Sequence, residues 1–408
     1  MPTERVLERV IRESSRKLLA FLAARSGDLA AAEDALGEAL CAALMRWPQS
    51  GIPASPEAWL LTAARRQLID QHRHDSVRAR AAPDLLAAAD QAMNALDGQT
   101  VFPDERLKLM FVCTHPAIDP GARTPLMLQT VLGLEAADIA AAFLLKPATM
   151  GQRLSRAKNK IRLARIPFDI PEAKALPERL EAVLEAIYGI YGIGWEDAAS
   201  ENLPERSLVN EALELGELLI RLLPEQAEPQ GLLALMRHCE ARRPTRRDAQ
   251  GRYVPLSEQP TGRWLKPLID DADRLLANAA ALQQPGRFQL EAAIQSVHNR
   301  RLITGRTDWP SIAALYDGLA SLAPTLGVLV ARAAARAEVD GADVGLELLA
   351  TLPKPACTAY QPYWALKARL LAKQGQNEAA RTAFEEASRL SQDAACRAFL
   401  QQQAGQLD

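Results

Sequence analysis

The sequence predicts an all-α chain. Alanine and leucine dominate it and aromatic residues make up only 5%, a balance that favours helices over sheets. Apolar residues recur at helical spacing in segment after segment, and Pro, Gly and Ser fall in the gaps between them. At 408 residues the chain can hold two or three domains, each with its own core. The formal net charge is −2. The chain is therefore no polycation, and any nucleic-acid contact has to come from local clusters.

Residues 4–46 read as two amphipathic helices. Val6, Val10, Ile11, Leu18, Leu19 and Leu22 are spaced for one apolar face, and Gly27-Asp28 breaks the pattern. The second helix, residues 29–46, is expected to carry Leu36, Leu40, Ala43 and Leu44 inward and Glu33, Asp34 and Glu38 outward. Such an acidic face is either solvated or docks on a basic partner. Residues 47–56, WPQSGIPASP, are expected to form a loop.

Ser55-Pro56 then opens a helix, with Ser as N-cap and Pro at the first position. Trp59, Leu60, Ala63, Ala64, Leu68 and Ile69 supply its buried side. The other side is basic and amide-rich, with Arg65, Arg66, Gln67, Gln71, His72, Arg73 and His74. Guanidiniums and amides pair with phosphates and base edges, although a merely solvated helix can carry them too. Residues 81–104 form a connector with Asp84, Asp90, Asp97 and Asp104, more acidic than its flanks.

Residues 105–114 and 122–132 read as helices around the turn Ile118-Asp119-Pro120-Gly121. They lead into residues 131–165, two helical patterns with a short break. Ile139, Ala140 and Phe143 mark the first; Met150, Leu154, Ala157 and Ile161 stripe the second, which Pro147 starts. Arg153, Arg156, Lys158, Lys160, Arg162 and Arg165 lie on its other faces with no acid among them. A helix-turn-helix needs this pattern, and an ordinary helical hairpin with a basic face also fits it. Pattern alone leaves both open.

Two of these stretches together resemble the extracytoplasmic-function (ECF) sigma factors, small members of the sigma-70 family that keep only regions 2 and 4. The family's AED-x-x-Q-E-x-F run is matched by Ala32-Glu33-Asp34-Ala35-Leu36-Gly37-Glu38-Ala39-Leu40, with Gly37 and Leu40 replacing Gln and Phe. Its AWLxxxARNxxIDxxR helix is matched by Ala58-Trp59-Leu60, Ala64-Arg65-Arg66, Ile69-Asp70 and Arg73. Its GLSxxEIA…GTVKSRLxRAR ending is matched by Gly133-Leu134-Glu135, Asp138-Ile139-Ala140 and Ala148-Thr149-Met150-Gly151-Gln152-Arg153-Leu154-Ser155-Arg156-Ala157-Lys158. Gly151-Gln152 stand where the family has Lys-Ser.

The resemblance implies region 2 over residues 1–80, a linker over 81–104 and a helix-turn-helix region 4 over 105–168. It implies that Asp34 and Glu38 dock on core RNA polymerase, at its β′ coiled coil, with β as a further partner. Arg65, Arg66, Gln67, Asp70, Gln71 and Arg73 would read the promoter −10 element as a separated strand. Thr149, Gln152, Arg153, Arg156 and Lys158 would read the −35 element as duplex. Catalysis would belong to the polymerase. The competing reading is a stand-alone helix-turn-helix regulator with a helical interaction domain.

Residues 169–408 exceed what a minimal ECF sigma factor holds. After Ile166-Pro167-Phe168-Asp169-Ile170-Pro171, helices are expected over 180–191, 208–223, 229–242, 265–282, 289–297 and 312–322. Trp364, Ala368, Leu371, Gly375, Ala380, Phe384 and Ala387 fall at tetratricopeptide (TPR) positions, and Tyr316 and Pro324 repeat the spacing of Phe384 and Gln392. The layout resembles the ECF subgroup fused to a TPR-like C-terminal domain, which would regulate or support the sigma domains, by intramolecular contact among other routes. Residues 241–264 are the least helical. Their arginines, Arg242, Arg243, Arg246, Arg247, Arg252 and Arg263, suggest a contact surface or a flexible loop, and Asp248-Ala249-Gln250-Gly251 suggests a short hairpin.

Five cysteines, Cys41, Cys113, Cys239, Cys357 and Cys396, are scattered without CxxC spacing, as for reduced thiols. Cys113-Thr114-His115 and His238-Cys239 each lack a second half-site, so no metal or other cofactor is expected. No Gly-rich phosphate loop, His-Glu metal motif or Ser/His/Asp-like arrangement appears, so an enzyme is not expected. The N-terminal run MPTERVLERVIRESSRK is charged throughout and no apolar run would span a bilayer. A cytoplasmic protein without membrane contact is expected.

Overall fold

A computed structural model describes residues 8, 14–78, 105–143, 145–197 and 208–407. The expected connector, 81–104, lies outside them, as do Val6, Val10 and Ile11 and the side chains of Gln71, His72, Arg73 and His74. The described residues are helical without strands. They divide into two compact units: one runs to Trp195 and takes in the first turn of a later helix up to Ala212, and the other begins at Leu213.

In the first unit, α1 (Ser15–Ser26), α2 (Leu29–Ser50) and α3 (Pro56–Arg78) pack together. The Asp28 carboxylate starts α2 by accepting from the Ala30 and Ala31 N–H groups at 3.0 and 3.2 Å, satisfying two of the donors a helix start leaves open. Leu18, Leu22, Leu29, Leu36, Ala39, Ala43 and Leu60 are buried between the three helices. Two expectations are corrected here. Residues 47–50 continue α2 with Pro48 inside its last turn, so the loop is only residues 51–55. Leu44 points outward, 49% exposed beside the 68% exposed Met45. With the helix prolonged to Ser50, the buried Trp47 sets the inward face of its last turns, and Leu44 lies off it.

Next come α4 (Arg106–Cys113), α5 (Pro120–Thr130), α6 (Ala136–Ala142) and α7 (Pro147–Leu163). The expected stripe Met150, Leu154, Ala157 and Ile161 is buried, as are Ile139 and Ala140 across from it. α8 (Leu176–Asp197) also belongs to this unit through Trp195. Its Arg179 guanidinium lies over the Phe111 ring, 5.9 Å from the centroid, and donates to the Phe111 carbonyl.

The second unit begins within α9 (Leu208–Leu222) and continues through α10 (Ala227–Arg242), α11 (Lys266–Ala281) and α12 (Arg287–Asn299). The Glu228 carboxylate on α10 accepts from the Phe288 and Gln289 N–H groups, fastening the start of α12. Then follow α13 (Arg301–Thr304), α14 (Trp309–Leu322), α15 (Leu326–Asp340), α16 (Ala342–Ala350), α17 (Lys354–Cys357), α18 (Gln361–Lys373), α19 (Asn377–Leu390) and α20 (Ala394–Gly405). In this stretch helices pack chiefly on their neighbours in sequence. Between α18 and α19 the small residues Ala368, Ala380 and Ala387 are fully buried and let the helices approach, with Phe384 beside them and Gly375 turning the chain at φ 71°.

The arginine-rich stretch 241–264 is held against the helices of its unit rather than forming an open loop. Its hairpin is a single antiparallel bridge, Arg247 to Tyr253, flanked by short 3-10 turns. Arg242 is buried and donates to Asn299 Oδ1 at 2.9 Å, Arg247 pairs with Asp393 at 2.5 Å, and Arg243 and Arg252 pair with Glu240 and Asp248. The Trp264 indole N–H donates to Thr245 Oγ1 at 3.1 Å, and the Arg301 guanidinium covers the Trp264 ring. Arg242 and Arg247 are thus used inside the unit, whereas Arg252 and Arg263 remain exposed.

Candidate nucleic-acid and polymerase interface

On α2, Asp34 and Glu38 are exposed and lie one turn apart, so they share a face. The helix then delivers Trp47 to the core, where its ring meets Trp59 edge-on, centroids 5.5 Å apart at 71°. This pair joins the end of α2 to the start of α3 and holds the short loop between them. Gly51, which closes α2 by donating to the Trp47 carbonyl at 3.0 Å, sits at φ 85°, a conformation that favours glycine.

Beyond the loop, α3 buries Leu60, Leu61, Ala64 and Leu68. Arg66, Gln67 and Asp70 are consequently on the solvent side, whereas Arg65 is half-buried. The structure therefore brings three of the six expected −10 residues to an open face. Arg65 stands at its edge, and the side chains of Gln71 and Arg73 lie outside the described residues.

On α7, Thr149, Gln152 and Arg156 are exposed on one face. Arg153, half-buried beside them, donates to the Gly121 carbonyl at 3.2 Å. Lys158 is separated from these four. At 3.6 residues per turn it lies about 180° round the helix from Thr149. Its ammonium meets Glu33 Oε2 on α2 at 2.5 Å, with side chains 15% and 27% exposed. A second contact links the same helix groups: Arg16 on α1 donates through Nε to the Leu132 carbonyl at 2.6 Å. Gly133, at φ 67°, leaves the room that the Arg16 guanidinium fills.

Cys113 sits nearby, buried and hydrogen-bonded with Thr130 at 3.2 Å. Burial pushes its thiol up to about 12, so it stays protonated. That is unsuited to metal ligation, which needs the thiolate. His238 is buried too; burial, reinforced by Arg242, holds it down at about 3. Among the described residues, three or more His, Cys, Asp or Glu side chains do not gather into a metal-holding group, and no helix is long and apolar enough to cross a membrane.

Glu33 and Arg16 are the residues that sequence reasoning left without a specific role. Glu33 stood only as one acid among three. Nothing local in the sequence tells which acid meets a basic residue more than a hundred positions away.

Comparison with known proteins gives the class first. A family model of Sigma-70 region 2 matches residues 10–77, which hold α1, α2 and most of α3. The chain thus carries the polymerase-binding domain class of sigma factors, whose role is in transcription initiation. A family of unknown function, DUF6596, matches residues 179–280. Its match starts within α8 of the first unit and runs into the second. The chain belongs to the family of "Uncharacterized protein R00370" from Rhizobium meliloti (strain 1021), with which it is 35% identical over 381 residues, 92% of this chain and 90% of the relative. No solved structure matches.

Proposed function

We propose that this protein is an ECF-type sigma factor with an additional regulatory helical unit of TPR-like construction. The observation that carries this reading is the Sigma-70 region 2 match over α1–α3. In this reading Asp34 and Glu38 dock on the β′ subunit of core polymerase, and β contributes further contacts. The loop at 51–55 and the face with Arg66, Gln67 and Asp70 hold the separated −10 strand, with Arg65, Gln71 and Arg73 continuing that surface. Guanidinium and amide groups follow the backbone, and bases leave the stack for the loop.

The pair α6 and α7 acts as a helix-turn-helix. Thr149, Gln152, Arg153 and Arg156 enter the −35 major groove, where an amide or guanidinium distinguishes base edges. The internal pairing of Lys158 argues for leaving it out of that set. The sigma subunit makes and breaks no bonds; polymerase supplies the chemistry, and the proposed setting is the cytoplasm. The test is capture of core polymerase by the full chain, followed by run-off transcription on genomic fragments. Defined start sites that require both components support the reading. Failure to capture core polymerase overturns it, and tight specific duplex binding without polymerase favours a stand-alone regulator.

A further inference from the structure

The last two helices of the second unit, α19 and α20, are joined by residues 391–393 alone and run antiparallel. Between them opens a cavity of about 460 Å3, within the range of about 300–1,000 Å3 usual for small-molecule sites. Its floor is apolar: Phe384 and Ala404 line it and belong to the core of this helix pair. Polar groups enter from both helices. Ser388 is 5% exposed, yet its hydroxyl has no hydrogen-bond partner among the described residues. Buried polar groups are as a rule paired, so an open hydroxyl in a cavity wall is suited to a ligand.

Arg397 on α20 is held in place by its Nη1, which donates to the Ser391 carbonyl at 2.8 Å. Its Nε and Nη2, the donors along one edge of the guanidinium, make no bond among the described residues. The Ser391 N–H in turn donates to the Ser388 carbonyl at 3.2 Å, so Ser388 and Arg397 stand at the same end of the cavity. One turn away the charge reverses. Glu385 precedes Ser388 by three residues and Gln401 follows Arg397 by four, so each lies about 5–6 Å further from the turn between the helices. Both line the cavity, and neither has a partner among the described residues. The other guanidinium there, Arg389, is already committed to Glu386 at 2.9 and 3.1 Å. The cavity therefore offers one open cation, one open carboxylate and an apolar floor.

We propose that this cavity binds a free α-amino acid with an apolar side chain. The Arg397 edge takes the carboxylate through two parallel N–H bonds, and Ser388 Oγ donates beside it. Glu385 and the Gln401 amide oxygen accept from the ammonium, and the side chain lies on Phe384 and Ala404. A simple anion would leave Glu385 unanswered and repelling, and a simple amine would do the same at Arg397. A dipeptide holds its two charges a further peptide unit apart, about 3.8 Å between Cα atoms, which suits the one-turn spacing less well than two charges on a single carbon. The site lies wholly within the second unit, and the inference does not rest on the sigma-factor reading.

Isothermal titration calorimetry of the full chain tests it, with leucine, isoleucine, valine, methionine and phenylalanine offered separately. At least one is expected to bind saturably, one per chain, at millimolar concentration or below. Acetylating its amino group or amidating its carboxylate should each weaken binding at least tenfold. Glu385→Gln should do the same to the parent amino acid without changing the urea midpoint, because Glu385 is exposed. The acetylated ligand should bind the parent chain and Glu385→Gln alike, since the charge that Glu385 answers is gone. Arg397→Gln should weaken the unmodified amino acid at least tenfold.

Absence of saturable binding by all five amino acids overturns the proposal, as does binding that Glu385→Gln leaves unchanged. Tighter binding of inorganic phosphate, or of the matching dipeptide, overturns the assignment of the ligand. Capture of core polymerase has no bearing on any of these outcomes, so failure of the sigma-factor reading and failure of this one are separate results.

Discussion

Cutting the chain after Phe168 should leave a much less stable fragment than cutting it after Trp195. The first cut follows the end of the region 4 resemblance; the second follows the end of the continuous stretch of the first unit, which also takes in residues up to Ala212 of the next helix. Between them lies α8, whose Leu180, Val183, Leu184, Ile187, Ile190 and Tyr191 are each at most 3% exposed. Burying a large apolar side chain contributes about 1.5–3 kcal/mol. Six such residues amount to roughly 10 kcal/mol or more before the Arg179 contacts with Phe111 are counted. A whole domain commonly has only about 5–15 kcal/mol of net stability.

Fragment 1–195 should therefore unfold cooperatively in urea, its circular-dichroism signal at 222 nm being lost in one step. Fragment 1–168 should show no such transition or a midpoint well over about 1 M lower. Equal midpoints and slopes would refute the assignment of α8 to the core of the first unit. They would also mean that its apolar face is covered by something other than this unit.

Three further outcomes are expected. Asp28→Ala removes the side-chain cap of α2 and should cost about 1 kcal/mol, read as a lower urea midpoint in fragment 1–195; an unchanged midpoint would remove the cap from the account. Asp34→Lys combined with Glu38→Lys should reduce capture of core polymerase at least tenfold while leaving helix content unchanged, because both side chains are exposed; undiminished capture would move the docking surface elsewhere. Acid should destabilise the second unit through His238. Its folded-state value near 3 lies below the ordinary 6.5, so the unfolded chain binds the proton first, and stability is lost as pH falls from about 6.5 towards 3. Asp273, 3.4 Å from Nε2 and 46% exposed, offsets this little. At pH 5 the contribution is about 2 kcal/mol, and His238→Gln should reduce the difference between urea midpoints at pH 7.5 and 5.0, while His298, likewise held by burial at about 3, carries a remainder; a variant with the same pH dependence as the parent would contradict it.

The helical architecture was readable because its signals are local. The stripe Met150, Leu154, Ala157 and Ile161 repeats at helix spacing and is buried. The expected helices at 208–223 and 229–242 agree with the observed boundaries within two residues. Pro48 and Gly51 punctuate the sequence and suggest a loop from Trp47, but the helix runs on to Ser50 with Trp47 packed edge-on against Trp59. The arginines of 241–264 suggest a contact surface or a flexible loop because sequence shows charges without partners. Asp393 and Asn299 are supplied by distant helices. The same limit hid the Glu33–Lys158 pair. Exposure of Asp34, Glu38, Arg66, Gln67, Thr149, Gln152 and Arg156 follows directly from helical periodicity, whereas the separation of Lys158 from the other α7 residues required counting its angle round the helix.

Gly133 and Arg16 also constrain each other. The glycine has no side chain, adopts φ 67°, and leaves the volume into which the arginine reaches for the Leu132 carbonyl. A relative that acquires a side chain at the position of Gly133 therefore has no room for an arginine at the position of Arg16, and a shorter residue there should accompany it. Substitution at these two sites is expected to be correlated, with the turn ahead of α6 recording in each relative whether its hold on α1 has been kept.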